Sequence, residues 1–222
     1  MKRCLLVLGL LILISCKKVE NEPFGFNFYF EKTQPVNDSE LLKIPNKFQG
    51  LFMNSDSIYV NVQENIILKE YYNKFRFHKK DFDSIKINFD KVGNKYISKF
   101  NNEVFDYRLL RDSVEFLNKQ IDTFFVFSNN QKAKRFDGQL VLNFKDSIYW
   151  TIKSIRLEKN ILKIKYIYSE EDLKLMDSLT KVKSIMIDSS SFILKPSRNE
   201  LKRILNLKRL GEELMYKKVR NN

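Results

Sequence analysis

Cysteine is nearly absent from this chain of 222 residues: there are two, Cys4 and Cys16, and none after position 16. The chain also has one histidine, one tryptophan, six glycines and four prolines. Each shortage excludes something. Beyond Cys16 no disulfide or thiolate metal site can form within one chain. A single histidine, His78, excludes zinc clusters built from Cys and His. A Ser-His-Asp triad could be assembled only around His78, and no Gly-x-Ser-x-Gly turn is present to hold the serine. The six glycines are isolated, which removes phosphate-cradling loops. The expectation is no catalytic residue, no metal and no cofactor. With 27 Asp and Glu, a carboxylate pair doing acid–base work stays open.

What is there begins with MKRCLLVLGLLILISCKKVENE. Lys2 and Arg3 precede an apolar run from Cys4 to Ile14. That run is shorter than the ~20 residues a membrane-spanning helix needs, and it has the form of an export signal. Leu13-Ile14-Ser15-Cys16 then looks like a bacterial lipobox. In that reading residues 1–15 are a signal peptide, cleavage falls between Ser15 and Cys16, and Cys16 carries the lipid. A cysteine is required because its thiolate is the nucleophile that takes up the diacylglyceryl group. One acyl chain binds membranes marginally, at about 0.8 kcal/mol per buried CH₂, and two or more, with palmitate on the freed amine, anchor stably. The expected location is the bacterial cell envelope, at the outer membrane, with the leaflet left open. The membrane is the expected partner through Cys16.

Lys and Arg number 40 against 27 acids, a formal charge of +13, of which Lys2 and Arg3 would leave with the signal. A basic balance can mean nucleic acid or an anionic membrane. Here the lysines are dispersed among Asn, Ile and Phe, and an envelope protein does not meet nucleic acid, so none is expected as a partner. Hydrophobic residues make up 43% and aromatics 14%, enough for a core without staples. The expected organisation is a lipidated cysteine, tether and aromatic strand over 16–46 and a β-rich domain over 47–222, with two lobes, 47–135 and 136–222, as a finer possibility.

Phe24, Phe26, Phe28 and Phe30 of FGFNFYF share one side of a period-2 pattern. They read as a strand docking its phenylalanine face, with an exposed ligand or carbohydrate platform as the alternative. Five tracts then begin Asp-Ser or Asp-Thr before apolar alternation, at Asp56, Asp83, Asp112, Asp122 and Asp146. Asp and Ser bond backbone groups in turns, so each reads as a turn leading into a strand rather than a calcium loop. The tracts from Phe48 and Phe136 echo one another: Phe-x-Gly, strand, Asp-Ser-Ile-Tyr, strand, Asn-Ile. In the second, Leu140, Leu142 and Phe144 oppose Val141 and Asn143, while Ile148, Trp150 and Ile152 are read as inward, with Trp150 in the core.

Two late helices are expected. Ser169 caps SEEDLKLMDSL, with acids in its first turn and Leu175, Met176 and Leu179 on one face. Ser197 and Glu200 form a capping box for the second, which Gly211 would stop. Leu201, Ile204, Leu205 and Leu207 make its apolar stripe, and Lys202, Arg203 and Arg209 are candidate membrane-facing cations. EELMYKKV returns as a last strand. The fold class is α+β, dominated by antiparallel β-sheet as a meander, roll or barrel-like form.

At IPNKFQGLF, DSIYWTIKSIRLEKNILKI, SEEDLKLM and FILKPSRNELKRIL the chain resembles small β-rich lipoproteins of Bacteroidota. They share the lipobox, a Pro-x-x-Phe-x-Gly segment, a strand pair around a Trp, an acid-capped helix and a Lys-Pro-Ser helix. The resemblance supplies no catalytic residues to carry over. Four roles follow: a non-enzymatic anchored protein binding an envelope component, a lipocalin-like barrel for a small apolar ligand, an immunity-type inhibitor, and last an enzyme. His78, among basic neighbours on a wet strand face, is expected to be dispensable.

Cys16→Ala should abolish incorporation of radioactive fatty acid and leave the precursor uncleaved. Undiminished labelling of that variant would mean that Cys16 is not the lipid anchor.

Overall fold

The computed structural model describes residues 25–219. Ser15 and Cys16, with the cleavage and lipidation expected there, lie outside the described residues, as does Phe24. The described chain forms fifteen strands and three short helices, an α+β fold dominated by antiparallel sheet. It divides into two compact units, Glu70–Ile121 and the flanking residues 25–69 with 122–219. This division differs from the lobes expected at 47–135 and 136–222. The boundary falls inside two long strands, β4 (Ile66–His78) and β8 (Ser113–Val126), rather than in a linker.

In the smaller unit the order is β5 (Phe89–Val92), β6 (Lys95–Ser98), β7 (Val104–Leu109), β8, β4. Its core is aromatic. Phe116 is buried, with ring centroids of Phe89 and Tyr96 at 5.1 Å and Phe82 at 5.5 Å. Phe82 sits on a helix that the sequence pattern did not signal, α1 (Lys79–Ile85). Asp83-Ser84 therefore lies in a helix, not before a strand. His78 is exposed, as expected, and has work to do: its Nδ1 accepts the Lys80 N–H (3.2 Å) and caps α1.

The larger unit carries β2 (Gly50–Met53), β3 (Tyr59–Val62), β9 (Gln131–Phe136), β10 (Gln139–Asp146), β11 (Tyr149–Glu158), β12 (Ile161–Tyr166) and β15 (Glu212–Lys218). They pair in the order β3-β2-β15-β12-β11-β10-β9. Both outermost strands, β5 and β9, pair on one side only, so the sheet is open and the barrel form expected as one alternative does not occur among the described residues. A second sheet sets β1 (Asn27–Tyr29) parallel to β14 (Ser191–Ile193), which pairs with β13 (Ile185–Asp188).

Alternation fails in β10, where Leu140, Val141, Leu142 and Asn143 are all buried. Val141 packs with Leu201 and Leu205 of α3 (Arg198–Asn206), so both faces of the strand are covered. Asn143 is buried because its amide replaces a strand partner. Its Oδ1 accepts the Gln34 N–H (2.6 Å), and its Nδ2 donates to the Gln34 carbonyl (2.9 Å). Ile148 is 70% exposed, against the inward placement expected, because it sits at the β10–β11 turn beside Ser147 at φ 56. Trp150 is half-buried rather than core. Of the five Asp-Ser or Asp-Thr tracts, those at Asp56, Asp112 and Asp146 lead into strands, and Asp122-Thr123 lies within β8.

Both late helices start as expected. Ser169 and Asp172 form a capping box on α2 (Glu170–Leu179), and Ser197 and Glu200 form one on α3. The role of Gly211 differs. α3 ends at Asn206, and Gly211 lies beyond, at φ 68, where an added Cβ would come 2.2 Å from the Tyr166 carbonyl oxygen. A close backbone approach demands the glycine there.

Glu200 has its pKa held down at about 2, chiefly by the Ser197 N–H, then by the Ser197 hydroxyl and the Lys181 N–H. A depressed carboxylate stabilises the fold above the ordinary Glu range, about pH 4.3, and that contribution is lost as pH falls toward about 2. Glu200→Gln should therefore destabilise at neutral pH by on the order of 1 kcal/mol. In thermal unfolding at stepped pH, the gap to wild type should close between about pH 4 and 2. A gap independent of pH would contradict this role.

Candidate functional site

The site grows out of a break in strand pairing on one edge of β11. Along its other edge β11 pairs with β10 from Tyr149↔Asp146 to Ile155↔Leu140. On the edge in question β12 pairs from Glu158↔Ile161 to Ser154↔Lys165 and then turns away toward α2. The chain that meets β11 next is the aromatic segment. Phe30 and Trp150 exchange two backbone hydrogen bonds of 2.8 Å, and the Phe26 N–H donates to the Tyr168 carbonyl (2.6 Å). Gly25 permits that crossing, since a Cβ there would lie 2.3 Å from the Tyr168 oxygen.

Between these two attachments lies a cleft of about 310 Å³. Its apolar wall includes Phe26, Phe28, Phe30, Ile152 and Met176, with Tyr166 beside them. The phenylalanine face of FGFNFYF is thus docked, as its alternation predicts, with Phe28 and Phe30 buried, and it faces this cleft.

The polar groups are few. At one end Asp146 Oδ2 accepts the Tyr29 hydroxyl (2.7 Å). Burial, then this bond and the carboxylate charge, push the Tyr29 pKa up to about 12, so the phenol remains a donor at neutral pH. Four residues along β11 from Tyr149, about 13 Å by strand rise, stands Lys153. Its ammonium lies 5.1–5.2 Å from the ring centroids of Phe124, Tyr166 and Phe144. Lys69, which is buried, donates from Nζ to the Tyr166 hydroxyl (3.2 Å) and lies 4.9 Å from the Phe124 centroid. Contacts of this kind are worth roughly 0.5–2 kcal/mol. They hold the Tyr166 ring, which forms part of the wall.

The cations proposed from sequence do not gather at this cleft. Lys202 pairs with Asp137 (2.9 Å), Arg203 donates to the Leu179 carbonyl (2.8 Å), and Arg209 is exposed in the turn after α3. The stripe Leu201, Ile204 and Leu205 is buried, and Leu207 is half-buried. Among the described residues no group of three or more His, Cys, Asp or Glu could hold a metal ion, and no helix is long and apolar enough to cross a membrane. Sequence reasoning missed Asp146, Lys153 and Tyr166 as a set. By sequence Asp146 reads as a turn residue, and nothing in the spacing joins it to Tyr29, 117 positions away.

A double-mutant cycle of Tyr29→Phe and Asp146→Ala, followed by thermal unfolding, should give a coupling of about 1 kcal/mol, the size of one such bond. Coupling within error would mean that this pair does not fix the cleft mouth. Comparison with protein-family models, with curated proteins and with solved structures finds no match to this chain.

Proposed function

We propose that the protein is a lipid-anchored, non-enzymatic component of a bacterial cell envelope whose larger unit binds a small, largely apolar ligand. The anchor rests on Leu13-Ile14-Ser15-Cys16 after a short apolar run. The observation that carries the binding role is the cleft: about 310 Å³, walled by Phe26, Phe28, Phe30, Ile152 and Met176 with a few convergent polar groups. Ligand pockets span roughly 300–1,000 Å³ and have this character, so the ligand is small. The polar side chains already hold the walls: Asp146 fixes Tyr29, and Lys153 sits over three rings. Such groups orient a ligand rather than transform it. Of the lipocalin-like alternative, the closed barrel falls away and the small apolar ligand is retained.

The test uses the full-length chain, isolated from envelope extract into phosphatidylcholine nanodiscs. Native mass spectrometry should release a small molecule in near-stoichiometric amount. Thr151→Trp, which fills the cleft from β11, should lose it while keeping its melting temperature within a few degrees. A stably folded Thr151→Trp that retains the same molecule would refute binding at this site.

A further inference from the structure

The cleft is walled by backbone as well as rings, and strand geometry states which way that backbone faces. In an antiparallel ladder successive residues direct their N–H and C=O groups to opposite edges. Trp150 directs both groups at Phe30, so Ile152 directs its pair to the same edge. Ser154 does too, and meets Lys165 of β12. Ile152 is the position between those two partners, and it lines the cleft.

The facing segment repeats the arrangement. Asn27 takes the Ser190 carbonyl and Tyr29 gives its carbonyl to Leu194, so both point to the β14 side. Phe26 and Phe30 point the opposite way, to Tyr168 and Trp150. Phe28 shares their direction, and it too lines the cleft. Among the described residues no strand pairing joins Phe28 to Ile152: β1 pairs with β14, and the aromatic segment meets β11 at the Phe30–Trp150 bridge. Two main-chain donor–acceptor pairs therefore face one cleft from opposite sides. Buried N–H and C=O groups are satisfied by something, whether protein, water or ligand.

Resting on the reading of this cleft as a ligand site, we propose that its ligand is a secondary amide with apolar substituents, of the kind a short apolar peptide presents. An amide supplies an acceptor for the Ile152 or Phe28 N–H and a donor for a carbonyl, in the spacing of a strand. An apolar substituent then lies against Phe28, Met176 and Ile204. Main-chain recognition of this kind gives affinity, and the pocket for the side group gives selectivity. An alkane would fill the volume and leave the inward donors and acceptors unmatched, and a fatty-acid carboxylate, which only accepts, would leave the inward carbonyls unmatched.

The probes are N-acetyl-leucine methylamide, its methyl ester, which lacks one N–H, and hexanoate. They are titrated calorimetrically into the full-length chain in phosphatidylcholine nanodiscs after removal of any bound ligand. The methylamide should bind about three- to tenfold more tightly than the ester, the value of one hydrogen bond. It should also slow hydrogen exchange at the Ile152 and Phe28 amides. Ile152→Pro, which removes the inward N–H and no ladder bond to β10, should weaken methylamide binding. If that variant does not fold, the amide–ester comparison on the wild type decides alone. Ester or hexanoate binding as tight as the methylamide overturns the amide class and leaves the cleft as an apolar site. Failure of all three probes, with a ligand still recovered from envelope extract, overturns it as well. Failure of all probes and no recovered ligand removes the ligand site itself.

Discussion

The larger unit depends on how the two edges of β11 are satisfied. A strand offers a row of donors and acceptors on each side, and burial makes an unpaired group costly. β10 covers one edge from Asp146 to Leu140. The other edge is shared between β12 and Phe30, two pieces of chain more than a hundred residues apart in sequence. Sharing one edge between two non-adjacent segments leaves a gap wherever they do not meet. The cleft is that gap, and its position follows from where β12 leaves the sheet.

The turn that takes β12 away is fixed by a buried carboxylate. Asp172 accepts the N–H groups of Tyr168 (3.1 Å) and Ser169 (3.0 Å) on Oδ2, and that of Gly211 (2.6 Å) on Oδ1. One side chain thus starts α2, holds the Tyr168 backbone that Phe26 also uses, and draws the chain before β15 against Tyr166. On the far side of β10, Lys134 makes the comparable tie. Its ammonium donates to the carbonyls of Pro35 (2.8 Å) and Thr33 (3.3 Å), with its pKa pushed down by burial. Lys165 is likewise pushed down by burial, with Glu213 at 3.6 Å opposing the shift. Buried polar groups in this unit serve to fasten irregular chain to the sheet.

Local chemistry was the legible part. Ser169 and Ser197 announce their helices, the final strand appears at EELMYKKV, and the three strands β10, β11 and β12 are where the sequence puts them, although the faces of β10 are not. What could not be read was set by distant chain. Asn143 looks like a polar, outward residue until Gln34 arrives to occupy it, and Val141 reads as outward until α3 covers it. α1 has one buried apolar anchor, Phe82, in seven residues, too few to establish a helical period. The cleft was least legible. It needs β1 to run parallel to β14, and parallel pairing requires a long connection that leaves no local trace.

The echo between the Phe48 and Phe136 tracts shows how the cleft arises from two similar pieces. Both fold as three-stranded meanders. Gly50 (φ 139) and Gly138 (φ 80) precede the first strand's body, and left-handed Ser57 (φ 62) and Ser147 (φ 56) make the first turns. They part at the third strand. In the first tract it is β4, which runs for 13 residues and carries the chain out of the larger unit. In the second it is β12, which stops after six residues, where Ser169 and Asp172 cap α2 three residues later. A β12 as long as β4 would have continued to pair with β11 past Ser154, taken up the inward groups of Ile152 and displaced Phe30 from Trp150. The short strand is what leaves room for the aromatic segment, and the aromatic segment is what roofs the cleft.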